Sequence, residues 1–156
     1  MGFLNTINIV GSGLTAQQLR LDVVAENVTN SQTTRTENGG GTYRRKMVVF
    51  QAVSGRDAFR NAMARAATRA VPNGSVAPNA GGVRVTEIVE DEENPMKLVY
   101  DPTHPDADED GYLEMPNVDM VKEIADAMAA SRAYASNVTA FNTLKSVISS
   151  GLEIGR

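Results

Sequence analysis

A chain of 156 residues is long enough for one domain with a modest core. Apolar residues make up 42% of it and aromatics only 5%, with no Trp, so Ala and the aliphatic side chains must do the packing, and so thin a core leans on partners. The net charge of −4 excludes a global basic field that would draw in nucleic acid, and the absence of Cys excludes disulfides, thiolate metal sites and a cysteine nucleophile.

The first ten residues contain Asn5 and Asn8 and lack a basic start followed by an apolar run, so no cleaved secretory signal is expected. No stretch is apolar and long enough to span a bilayer. From Phe3 to Val28 apolar residues recur at alternating steps of three and four. One row is Ile7, Leu14, Leu21, Val28; the other is Phe3, Val10, Gln17, Val24. Together they predict a helix with a heptad seam interrupted at Gln17. Gly11 and Gly13 lie inside it, each costing about 1 kcal/mol in a helix interior, and either weaken it locally or let another backbone approach. Asn27, Asn30 and Ser31 end it.

The middle of the chain is different material. Residues 42–53 are β-branched and aromatic enough for a strand, and Val83 to Glu90 alternates with period two. Lys97 to Tyr100 and Tyr112 to Met115 predict two short strands around a turn-rich loop. Between these, residues 54–82 are rich in Ala, Arg, Asn and Gly. A short helix is expected from Asp57 to Ala70, with Phe59 and Met63 on one face, followed by a flexible linker. The cluster Arg44-Arg45-Lys46 reads as a solvated face, and Glu90 to Glu93 as a strand end.

The C-terminal helix is the clearest element. Pro116 stops what precedes it, and Asn117 or Asp119 can cap the first turn. From Val118 to about Leu152 there is no Pro, which predicts a helix roughly 50 Å long. Its expected seam is Met120, Ala127, Tyr134, Phe141, Ile148 alternating with Ile124, Ser131, Val138, Lys145, Leu152; Val121, Met128 and Leu144 widen the stripe. The expected fold is therefore mainly α: long N- and C-terminal helices paired as a coiled-coil-like bundle, with a small β-rich middle and flexible loops. In domain terms this means an N-terminal helix over 1–32, a middle segment over 33–116 and a C-terminal helix over 117–156. A hairpin burying both seams within one chain and packing against several neighbours are equally compatible with the pattern.

Candidate chemistry is sparse. Asp106, Asp108 and Asp110 with Gly111 match the first half of an EF-hand loop, but the twelfth position is Asn117 where a bidentate Glu is needed, so an acidic turn is the simpler reading. His104 is the only His and has no nucleophile motif beside it. Gly11-Ser12-Gly13 and Gly39-Gly40-Gly41 lack the rest of any phosphate-binding fingerprint. No catalytic residue, metal ligand or cofactor is expected.

Ser12-Gly13-Leu14, Ala16, Leu21, Val24, Ala25, Asn27-Val28, Asn30 and Thr33 resemble the N-terminal signature of the bacterial flagellar rod and hook protein family. Tyr43-Arg44, Val48-Val49-Phe50-Gln51, Lys97-Leu98-Val99-Tyr100, Gly111-Tyr112, Met115-Pro116-Asn117-Val118, Ser131-Arg132 and Tyr134 extend the likeness toward the proximal rod branch. Thr29 departs from the usual Ala or Ser, and residues 54–80 look longer than the family linker. The resemblance implies a non-enzymatic structural subunit of the periplasmic basal-body rod, exported by the flagellar type III apparatus without a cleaved signal. Its partners would be copies of itself and other rod proteins in a tube that transmits torque, with no cofactor and no nucleic acid. Ser12, Gly13, Leu14, Asn27 and Asn30 carry the signature. The expected subunit-packing residues are Ile7, Val10, Leu14, Leu21, Val24 and Val28 on the first helix, and Ile124, Met128, Tyr134, Val138, Phe141 and Ile148 on the last. An acidic calcium-binding protein or a self-contained helical adaptor is the alternative.

Overall fold

The computed structural model describes residues 3–36, 41–53 and 81–154. Their elements run α1 (Phe3–Thr29), β1 (Lys46–Ala52), β2 (Val83–Glu90), β3 (Lys97–Tyr100), β4 (Tyr112–Met115) and α2 (Met120–Ile154). The helical ends and all four strands fall where the sequence pattern puts them. The short helix and the linker expected between residues 54 and 80 lie outside the described residues.

Each helix is closed by its own polar residues. The Asn30 side chain donates to Glu26 O at 3.0 Å and accepts from Thr33 Oγ1 at 3.1 Å, so it satisfies one carbonyl of the last turn of α1 and holds the chain that leaves it. Asp119 caps α2, its Oδ1 accepting from Val121 N at 3.0 Å. The capping role left open between Asn117 and Asp119 therefore falls to Asp119. The 35 residues of α2 correspond to about 52 Å of helix.

The strands form two two-stranded sheets, β1-β2 and β3-β4. Hydrogen bonds just beyond the two ends of the first ladder, Asp91 N to Arg45 O at 2.8 Å and Val53 N to Gly82 O at 2.9 Å, make that pair antiparallel. In the second, Tyr100 faces Tyr112 and Lys97 faces Met115. Its loop closes on Gly111, whose φ of +78° and close approach to Tyr100 exclude a β-carbon without strain.

The chain divides into two compact units. One contains residues 3–18, 50–53, 81–86 and 132–154 of those described; the other contains 19–36, 41–49 and 87–131. In the first unit, Ser12 Oγ donates to Ile9 O at 2.7 Å and accepts from Val83 N at 3.0 Å, which ties the start of β2 to α1. The backbone reaches the helix here through Gly82, whose φ is +112° and whose added β-carbon would lie 2.8 Å from Ser12 Oγ. Gly13 faces Asn137, so the neighbour it admits is a side chain of α2 and not a second backbone. In the second unit, α1 and α2 meet with opposite sense: Arg20 pairs with Asp126, and Asn27, further along, pairs with Glu123.

Gly82 therefore answers to both a backbone and a steric requirement. Gly82→Ala should lower stability by about 1–3 kcal/mol, read as a drop in the urea midpoint of the purified protein. An unchanged midpoint would contradict this account of the contact.

Candidate assembly site

The second unit is organised around side chains that a thin apolar core could not hold alone. Glu123 on α2 is fully buried. An uncompensated carboxylate there would be prohibitive, so its two oxygens need partners. Oε1 accepts from Arg45 Nε at 2.6 Å and Oε2 from Asn27 Nδ2 at 3.0 Å. The Arg45 guanidinium also lies 3.4 Å from Asp126 and 3.8 Å from Asp91. Arg20 holds the other oxygen of Asp126 at 2.9 Å. Burial works against the Arg45 charge, but the hydrogen bond to Glu123 and the surrounding carboxylates outweigh it and raise its pKa.

Asn27 is 1% exposed and uses all four of its hydrogen-bonding positions. Its Nδ2 donates to Lys46 O at 2.8 Å and to Glu123. Its Oδ1 accepts from Lys46 N at 2.8 Å and from Tyr43 Oη at 2.9 Å. Two acceptors on one side and two donors on the other fix the orientation of the amide. The side chain thus pairs with the first residue of β1 as a neighbouring strand would. Asp would lose both donors and set a charge beside Glu123; Leu would leave every partner unmatched. Burial first, then the nearby carboxylates of Glu26, Glu123 and Glu90, raise the Tyr43 pKa well above its usual value of 10.0, so the phenol stays a donor. Lys46 Nζ lies 5.5 Å from the centre of the Tyr43 ring and 2.5 Å from Glu26.

Asn117 repeats the device. It accepts from Arg45 N at 2.9 Å and donates to the carbonyls of Asp91 and Asn94 at 2.9 and 3.1 Å. Asp91, also buried, receives the Asn94 side chain at 2.8 Å and its backbone N–H at 3.1 Å. These bonds, with Arg45, hold the Asp91 carboxyl below its usual 3.8 against the opposing effect of burial.

The sequence reading of the basic cluster needs correction. Only Arg44 is a solvated face; Arg45 is surrounded by three carboxylates and Lys46 pairs with Glu26. A hydrophobic pattern cannot reveal such a cluster, because charged residues score as surface. The one available signal was the Asn27 signature itself. The acidic loop is a turn: Asp106 accepts from Thr34 Oγ1 at 2.9 Å and pairs with Arg35 at 2.5 Å. His104 Nδ1 accepts from Asp106 N at 3.1 Å. No group of three potential metal ligands gathers among the described residues, and no helix among them is long and apolar enough to cross a membrane.

The expected packing residues divide by exposure. Val24 is buried within the chain; Ile7, Val10, Leu14, Leu21 and Val28 on α1 and Tyr134, Val138 and Ile148 on α2 are half-buried. Ile124, Met128 and Phe141 are 51%, 52% and 36% exposed. The stripe that α2 buries in its own chain centres instead on Glu123 and Ala130, each at 0%. Met120, Ile124, Met128 and Val121 stand about a quarter-turn or more from that stripe and share one face.

Two family descriptions match the chain: flagella basal body rod protein over residues 7–35, and flagellar basal body rod FlgEFG protein C-terminal over residues 109–154. Among curated relatives, the flagellar basal-body rod protein FlgC of Bacillus subtilis is 42% identical over 160 residues, covering 100% of both chains. That of Escherichia coli O157:H7 is 42% identical over 156 residues, again covering 100% of both, and that of Borreliella burgdorferi is 40% identical over 158, covering 99% of this chain and 98% of its own. The chain belongs to the flagellar basal-body rod protein FlgC family. It is a structural rod subunit and not an enzyme. The two matched segments carry Asn27 and Asn30 on one side and Asn117 and Glu123 on the other, while Tyr43, Arg45 and Asp91 come from the stretch between.

Glu123→Ala should cost about 3–5 kcal/mol by leaving the Arg45 guanidinium and the Asn27 amide without their acceptor, and the double change Arg45→Met with Glu123→Leu should recover much of it. Urea unfolding of the three proteins measures both; a single-variant loss below about 0.5 kcal/mol, typical of an open surface site, would refute the buried cluster. The Asp91 pKa is lower folded than unfolded, so its contribution is present above pH 3.8 and disappears as the pH falls through the folded value. In an acid titration followed by circular dichroism, Asp91→Asn should flatten the loss of stability below that pH, and an unaltered acid profile would count against it.

Proposed function

We propose that this chain is a subunit of the proximal rod, the part of the drive shaft that carries motor torque toward hook and filament. Its two long helices pack, in coiled-coil-like fashion, with those of other copies and of other rod proteins in a helical tube. It reaches the periplasm unfolded, through the flagellar type III export apparatus and without a cleaved signal.

The observation that carries the reading is the apolar face of α2 left open in the single chain. Met120, Val121, Ile124 and Met128 are 43%, 77%, 51% and 52% exposed and adjoin one another on the helix surface. Covering them would remove several large side chains from water at about 25 cal/mol per Å². In the other unit, Phe141, Val147 and Leu152 are likewise exposed. Half-buried Ile7, Val10, Leu14, Leu21, Val28, Tyr134, Val138 and Ile148 would be shared between the chain's own packing and its neighbours, with Val24 supporting them from inside. A subunit whose core is this thin gains its rigidity on assembly.

Ile124→Asp should leave the monomer as stable as the parent, since the residue is already half in water, yet abolish incorporation into basal bodies and swimming. Phe141→Asp should do the same. Motile cells with normal basal bodies carrying either variant would overturn the packing face as drawn. Among rival readings, the calcium-binding one predicts that Asp106→Ala with Asp108→Ala disturbs assembly in a calcium-dependent way; the rod reading predicts intact assembly at every calcium concentration, with a stability loss of about 1–2 kcal/mol from the Arg35 pair and the Thr34 hydrogen bond.

A further inference from the structure

The β3-β4 hairpin offers a second open surface, unrelated to the helices. Alternation along the strands and the Tyr100-Tyr112 register put Leu98, Tyr100, Tyr112 and Glu114 on one face. On the opposite face Leu113 is buried and Lys97 Nζ donates to Val118 O at 2.7 Å, while Val99 is 45% exposed. On the outer face Leu98 and Tyr100 are each 65% exposed and Tyr112 47%. The two tyrosine rings hold each other edge to face, with centroids 5.3 Å apart. This fixes a rigid aromatic platform in water.

Its rim is acidic. Glu114 shares the face, and Asp108, Glu109 and Asp110 lie on the adjoining turn, all exposed and none ion-paired with a described residue. An apolar, aromatic centre with a carboxylate rim calls for an occupant that is apolar and basic, arginine above all. Arg both stacks on tyrosine and forks onto carboxylates. Arg45 and Lys46 of the other basic stretch are already ion-paired within the chain; residues 54–80 carry Arg56, Arg60, Arg65 and Arg69 against the single Asp57, interleaved with Phe59 and Met63.

We propose that the outer face of the hairpin receives the arginine-rich stretch of a neighbouring copy of this chain. The inference rests on the polymeric reading above, since each copy must meet another. A contact of this size is weak by itself. Repeated at every subunit junction and backed by helix packing, it gains from the high effective concentration inside an assembly. The stretch then acts as a strap between subunits, and the tyrosine platform sets where it lands.

The test uses the full chain. A photoreactive benzoylphenylalanine replaces Tyr100 in protein of ordinary isotope content, which is mixed with an equal amount of uniformly ¹⁵N-labelled protein under conditions that promote assembly. After illumination, mass spectrometry should find the light hairpin peptide joined to heavy peptides from residues 54–80. Joins to the light copy's own stretch alone, joins to any other part of the heavy chain, or none would each overturn the proposal. The second of these would leave the rod reading standing. A charge exchange keeps the result independent of folding: Arg60→Glu with Arg65→Glu should reduce the cross-link about tenfold, and adding Asp110→Arg with Glu114→Arg should restore it. Failure of the compensating pair to restore a reduced cross-link would also overturn it.

Discussion

A carboxylate with no access to water sets the terms for half of this molecule. Glu123 is tolerated only because Arg45 and Asn27 meet both its oxygens. Those two residues come from a loop and from a different helix, so none of the three can settle without the others. Asn27 fixes the start of β1, Asn117 fixes the residues just outside the β1-β2 ladder, and Arg45 draws Asp91 and Asp126 to the same point. A chain so poor in large apolar residues uses polar pairing to specify which segments meet, and leaves its apolar surface elsewhere.

That division of labour explains the character of the surface. Because the inward stripe of α2 is made of Glu123, Ala130 and their neighbours, the larger residues Met120, Val121, Ile124 and Met128 face outward. In an ordinary monomer an open stripe of this kind is a liability. In the proposed reading it is the surface that a neighbouring subunit covers. The cluster is also non-local, joining residues nearly a hundred positions apart, so it can close only once both ends of the chain are in place.

Much of the fold was legible in the sequence. The period-two pattern located β2, the short runs flanking a turn-rich loop located β3 and β4, and the long Pro-free run located α2, because these signals are local. The site was legible only in part. Heptad counting drew the seam of α2 through Met120 and Ile124, whereas the chain's own buried stripe passes through Glu123. A charged residue is scored as surface, and only its partners 78 and 96 positions away make its burial possible. Arg45 was misread beside Arg44 for the same reason. Asn27 stood out as a signature, but its role, matching two donors and two acceptors at once, is a property of three-dimensional neighbours.

The central claim is that polar pairing builds the subunit and leaves the α2 stripe for its neighbours. The chain has no cysteine, so a single introduced thiol reports one position cleanly. In Met128→Cys protein, the rate of maleimide labelling can be compared between the free folded subunit and purified basal bodies. The account predicts rapid labelling in the free subunit and strong protection in the assembled rod. Equal labelling in both states would show that the stripe remains in water after assembly and would contradict it.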